Sequence, residues 1–318
     1  MQSKLLPLVV CATGLAFGSW ISIAHAQQNH SANNPQATDA LDAQAPPMLG
    51  IHWARGFEPN ARAAQDAKAA RPRSNPDMIN HGGVIMPSVS AQPIFWGTSW
   101  AGYSGDKMTG MDSWYKGFSN SHYAATSDEY TGTNGPVGPM VSSSTHVTDT
   151  SASTGGSNTS VILAEVCKAI PNPDSSGNGY YPVYTDTPRG HASYCAWHSY
   201  GTCNGVRVQF AFFFNLDGDA GCDPQDTSGQ HSQGLAAIAN VSGHELSEAR
   251  TDPANPGAWY DSSGQENGDK CAWTFNVPLV TFSDGRQWKI QGEWSNKAYD
   301  SGTGYPNRSG QNGCLAGQ

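Results

Sequence analysis

What this chain lacks narrows its chemistry first. Beyond residue 26, no stretch approaches the 18 or so consecutive apolar residues that a membrane-spanning helix needs. Basic residues are few. The 17 Lys and Arg against 26 Asp and Glu leave a net charge of −9, which argues against nucleic acid as a partner, because phosphate backbones are met by basic patches. No two cysteines are spaced C-x-x-C, which argues against a cysteine zinc site and a thioredoxin-like redox pair. There is no G-x-S-x-G nucleophile elbow.

The one long apolar stretch is at the N-terminus. Lys4 supplies a thin positive region, residues 5–18 an apolar run, and Ala24-His25-Ala26 a small-residue cleavage site, so residues 1–26 read as a secretory signal. Nothing around Cys11 suggests a lipid anchor. The expected mature protein is soluble and secreted, extracellular or periplasmic. It keeps six cysteines: Cys167, Cys195, Cys203, Cys222, Cys271 and Cys314. An even count in an oxidising compartment predicts three disulfides, although spacing does not choose among the 15 possible connectivities. The close pair Cys195/Cys203 suits a hairpin staple, and Cys271/Cys314 suits a tie for the C-terminal tail.

Residues 27–80 mix Gln, Asn, Ala and Pro with few large apolar residues and read as a pro-segment or flexible linker, with a short amphipathic helix at 60–70. A single α+β domain is expected over 81–318. Its sheet is mixed or mainly antiparallel, stabilised by disulfides, with a helix packed on one face. Strands are expected at Gln92–Gly97, Tyr180–Tyr184, Ser193–His198 and Val206–Leu216, and the last, rich in aromatic and β-branched residues, should be central. Helices are expected at 106–124, 161–170 and 234–251. Asp252-Pro253 ends the third, since proline disfavours the α conformation of its predecessor.

The third helix carries Gly243-His244-Glu245-Leu246-Ser247-Glu248. Residues four apart lie about 40° apart around a helix, so His244 and Glu248 can meet at one point, with Glu245 offset by about 100°. This is the H-E-x-x-H zinc arrangement with glutamate as its second ligand, and Glu245 stands where the general base for a metal-bound water would be. A third ligand is required. Glu266 and Asp269, in a polar turn 18 and 21 residues after Glu248, are favoured over Asp252, and His198 is a further candidate. Zinc is the expected metal. A set dominated by Glu248, Glu266 and Asp269 would suit calcium instead. The bland alternative is that His244 simply hydrogen-bonds a carboxylate in the core.

The stretch from His244 to Cys271 resembles the EXORDIUM-like (phosphate-induced protein) family. The residues that carry the likeness are His244 to Glu248, Thr251-Asp252-Pro253, Ala258-Trp259-Tyr260-Asp261, Glu266 and Gly268-Asp269-Lys270-Cys271. It extends upstream to His81-Gly82-Gly83-Val84-Ile85-Met86, Phe95-Trp96-Gly97-Thr98-Ser99-Trp100 and Cys195-Ala196-Trp197-His198-Ser199. Ala196 stands where plant members carry glycine, so the likeness is to a bacterial branch. The resemblance implies a secreted protein and says more about fold and location than about reaction.

Two lesser features complete the reading. Asp217-Gly218-Asp219-Ala220-Gly221-Cys222-Asp223 resembles the start of a calcium loop but has Ser228 where the bidentate glutamate belongs, so a solvated turn is expected. Trp96, Trp100, Trp197, Trp259 and Trp273 would line a carbohydrate cleft if exposed and fill a core if not. The leading expectation is a zinc peptidase acting on a peptide or protein substrate. The rivals are a non-catalytic extracellular protein with a structural metal site, and a protein acting on or binding cell-wall polysaccharide.

Overall fold

A computed structural model describes residues 45–58 and 76–317. The secretory signal expected at 1–26 and the helix expected at 60–70 lie outside the described residues. Eight strands form the central sheet: β1 (Leu49–Trp53), β2 (Val89–Ala91), β3 (Ile94–Trp96), β4 (Val141–Ser143), β5 (Val147–Asp149), β6 (Gly179–Pro188), β7 (Tyr194–Cys203) and β8 (Val206–Asn215). Their order is β1-β7-β8-β6-β2-β4, with β3 pairing β5 and β6. The pairings β1–β7 and β7–β8 are antiparallel, and the rest are parallel. Six helices accompany the sheet: α1 (Lys107–Phe118), α2 (His122–Ala125), α3 (Thr159–Ala169), α4 (Gln233–Thr251), α5 (Asn267–Lys270) and α6 (Asn296–Asp300). The fold is α+β.

β8 is interior to the sheet because Val208 to Phe214 is apolar on both faces, apart from Gln209, and both faces are covered. The two-residue period of the neighbouring β7 sorts its side chains. Trp197 packs on Phe212 and donates its indole N–H to the Gly156 carbonyl, while Gly201 lies under Leu163 of α3. The alternate residue His198 therefore projects to the opposite face, which α4 covers.

Every residue of α4 after Gln233 is buried. Gly234, Ala236, Ala237, Ala239, Ser242, Gly243 and Ala249 let neighbouring elements approach closely. Ser232 caps the helix by accepting the Leu235 N–H, and the Asp252 N–H closes it on the Glu248 carbonyl. A helix buried all round is ordinarily apolar. This one carries His244, Glu245, Glu248 and Arg250 at no more than trace exposure, so each needs a partner.

Several expectations change in detail. The helix expected at 106–124 breaks after Phe118, where Asn120 takes a left-handed φ of 54°, and resumes as the single turn of α2. Cys195 and Cys203 do not pair with each other. They stand at opposite ends of the extended β7, roughly 26 Å apart at the usual strand rise, far beyond disulfide reach. The bridges are Cys167–Cys203, Cys195–Cys222 and, as expected, Cys271–Cys314. Such bridges fit a non-reducing, extracellular-type compartment. No described helix is long and apolar enough to cross a membrane. β1 falls inside the stretch read as a pro-segment or linker, yet it is an edge strand of the central sheet.

The Cys271–Cys314 bridge spans 43 residues and fixes the end of α5 to the C-terminal strand. Replacing both cysteines by serine is expected to lower the unfolding free energy by about 2–4 kcal/mol, read as a lower urea midpoint in equilibrium denaturation.

Candidate metal centre

Four elements converge on one buried point. β7 presents His198, one face of α4 presents His244, Glu245 and Glu248, α5 and the residue before it present Asp269 and Glu266, and β1 crosses over them. His244 Nε2 lies 3.0 Å from Glu248 Oε1 and 3.7 Å from Asp269 Oδ1, and His198 Nε2 lies 3.5 Å from Glu266 Oε2. Two sets could each hold a cation, His198/Glu248/Glu266 and His244/Glu248/Asp269, with Glu248 common to both. All five residues named as metal-ligand candidates from the sequence thus meet in space.

The turn that carries Glu266 and Asp269 is held tightly. The Asp269 N–H donates to Glu248 Oε1 at 2.9 Å, and the Glu266 N–H donates to Asp269 Oδ2 at 3.3 Å. Gly268 is pressed so close that a Cβ there would sit 2.9 Å from the His244 ring and 3.0 Å from Glu248 Oε1. Asp252 is buried nearby and accepts the Ala258 N–H at 2.7 Å. That bond ties the helix end to the following loop.

Sequence reasoning missed Gln291. Its amide oxygen accepts the Trp273 N–H at 3.1 Å and its amide nitrogen donates to the Gly268 carbonyl at 2.9 Å. These two backbone partners fix which way the amide points. The same nitrogen lies 3.1 Å from His244 Nδ1, and the same oxygen lies 3.1 Å from His52 Nε2. His244 Nδ1 is therefore the acceptor, which leaves the ring proton on Nε2, the atom facing Glu248 and Asp269. A metal-bound imidazole has the opposite arrangement, donating from its other nitrogen.

The His198/Glu248/Glu266 set is better prepared. His198 Nε2, Glu248 Oε2 and both Glu266 carboxylate oxygens are buried with no hydrogen-bond partner among the described residues. Buried polar atoms are nearly always paired, so unpaired atoms on three residues, with one donor from each within 4.8 Å of the others, indicate something that completes them. Nearby basic side chains are committed elsewhere. Lys270 pairs with Asp261 at 2.8 Å, and Arg250 donates to the Ala124 and Gly138 carbonyls.

Burial governs the protonation of the whole cluster. It pushes the carboxyls of Glu245, Glu248, Glu266 and Asp269 well above their usual range, with carboxylate–carboxylate repulsion adding to it. Burial likewise raises Asp252 to about 8. It lowers His198 and His244 to about 3, so both imidazoles are neutral, the form that binds metals.

The aromatic residues proposed for a carbohydrate cleft mostly pack the core: Trp96, Trp100, Trp197 and Trp273 are buried, and Trp259 is half-buried. Of the aspartates of 217–223, Asp217 pairs with Lys107 and Asp219 with Arg189, while Asp223 accepts the Gln225 N–H, as suits a turn.

A folded state whose carboxyls hold protons more tightly than the unfolded chain is most stable at low pH and loses that stability as the pH rises through the raised values. Between about pH 7.5 and 8.5 histidines are essentially neutral in both states, their unfolded value being about 6.5, so the carboxyls decide the sign. Metal-free protein is expected to show a melting temperature that falls across this window, and zinc added at the upper end is expected to restore it, both measured by calorimetry. Comparison with protein-family models, curated proteins and solved structures finds no match to this chain.

Proposed function

We propose that the protein is a secreted metal-dependent hydrolase of the zinc-peptidase type. One observation carries this reading: His198, Glu248 and Glu266 each bring a donor atom to within 4.8 Å of the other two, and all three residues have buried donor atoms without a hydrogen-bond partner among the described residues. One neutral imidazole and two carboxylates suit a divalent cation in charge and in ligand type, and zinc takes both kinds of ligand. Leaving the carboxylates ionised without a cation would cost several kcal/mol per ion. The ligands are assigned as His198, Glu248 and Glu266, and Asp269 stays close enough to orient Glu248 through its N–H. When bound, the cation supplies Lewis acidity and an activated water.

Glu245 is the general base in this reading. Its Oε1 accepts the His52 N–H at 3.3 Å, and its Oε2 is buried without a partner, free to take a proton from water. The raised proton affinity of Glu245 arises from burial and from Glu248 and Asp269. A dication beside it opposes both effects and moves the carboxyl toward the neutral range in which a base works best. Gln291 fixes the His244 ring, whose Nε2 lies 3.0 Å from Glu248 Oε1.

A second reading has its own support. The cluster is sealed from solvent, with Glu245, Glu248, His244, His198 and Glu266 each at 0–1 % exposure, as a purely structural metal site would be. Metal analysis and one variant separate the two. Purified protein is expected to carry about one zinc per chain, and Glu245→Gln is expected to keep the zinc and the fold while losing peptide hydrolysis by a factor of about 100 or more. Calcium in place of zinc, or zinc without cleavage of any peptide in a broad library by any form of the chain, would reject the peptidase.

A further inference from the structure

The edge of the central sheet beside this cluster is occupied by the chain's own N-terminal strand. β1 is the last strand in the order and pairs antiparallel with β7, Leu49 opposite His198, His52 opposite Ala196 and Trp53 opposite Tyr194. The step from Leu49 to His52 is three residues, whereas the matching step on β7 is two, so β1 bulges at Gly50-Ile51. The bulge lies directly over the donor atoms. Gly50 takes a left-handed φ of 41°, and a Cβ on it would fall 2.0 Å from Glu248 Oε2 and 2.5 Å from His198 Nε2. Only a residue without a side chain can pass there.

The next peptide nitrogen but one points at the base: the His52 N–H donates to Glu245 Oε1. Along β1, then, one residue's backbone covers the cation pocket and the amide nitrogen two positions on rests on the general base. The backbone of an extended peptide laid in this way runs past both the cation pocket and the base, where hydrolysis of one of its peptide bonds would take place. Water oxygen adds to a carbonyl carbon, the C–N bond breaks, and Glu245 passes the water's proton to the departing nitrogen, giving a carboxylate and a new amine. Without β1, β7 would be the edge strand, offering its free backbone groups along the side of the site.

We infer that β1 stands in the place of a substrate. The site takes an extended polypeptide by strand addition, antiparallel to β7, with glycine over His198 and Glu248, and in this chain residues 49–53 fill that groove and keep it shut. The inference rests on the peptidase reading for the chemistry of cleavage, but not for the binding of a strand.

The test separates the two. Gly50→Leu places a side chain where Glu248 and His198 leave no room and should dislodge β1. The variant is expected to bind a fluorescent peptide of residues 46–55 at least about tenfold more tightly than the unaltered protein, whose own strand competes at the high effective concentration of a tether. Zinc-loaded, the variant is expected to cut a peptide library about tenfold faster or more, by the same release of competition. Binding without cleavage supports strand addition and removes the peptidase. Hydrogen exchange on the unaltered protein covers the case in which the variant does not fold. β1 amides are expected to exchange through an opening that leaves β6 and β8 protected. If β1 exchanges only with global unfolding, or if folded Gly50→Leu binds no peptide, β1 is a permanent strand of the sheet and the inference is overturned.

Discussion

The cost of burying charge organises this protein. Five carboxyl groups and three imidazoles come together around one end of α4, shut away from water and out of reach of Lys270 and Arg250, which serve Asp261 and backbone carbonyls. Unneutralised, such a group must hold protons it would normally give up. The residues around it look arranged for the opposite state. Gly268 makes room for the His244 ring, the Asp269 N–H orients one oxygen of Glu248, and the other oxygen is left bare. Small residues along α4 bring the helix close enough to the sheet for His198 to reach the same point from β7.

The tautomer of His244 is settled by groups that are not themselves part of the ligand set. A backbone N–H and a backbone carbonyl orient Gln291, and Gln291 orients the ring. The helix motif alone would assign His244 as the first ligand. The hydrogen bonds around it favour His198 for that role in the proposed reading and leave His244 Nε2 on the side of Glu248.

Much of this was legible in the chain, and what was not has physical reasons. The apolar density of 206–216 announced a strand covered on both faces, and the 234–251 helix is visible from its small-residue run and its Asp-Pro end. Helical spacing brought His244, Glu245 and Glu248 together, and the polar turn at 266–269 supplied the rest of the cluster. His198 was harder to rank, because a lone histidine in a strand says nothing about which face it takes until the partners of Trp197 are known. Cys195 and Cys203 are close in sequence, but they are held apart by the straightness of one strand. Gln291 has no local signature, since its role depends on contacts with residues 18, 23 and 47 positions away. β1 was hidden by its neighbours. Leu49-Gly50-Ile51-His52-Trp53 alternates as a strand should, but it sits in polar, proline-containing sequence that reads as linker.

The glycine of β1 also imposes an order in time. With backbone lying across the pocket and no side chain of the cluster more than slightly exposed, an ion cannot reach His198 and Glu248 through the finished fold. It must arrive before the first strand docks, or during a moment when that strand lifts. On the proposed reading, loading and loss of a cation would therefore share a clock with the sheet edge, and the rate at which a chelator strips the protein would report how often that edge comes undone, however tightly the ligands grip.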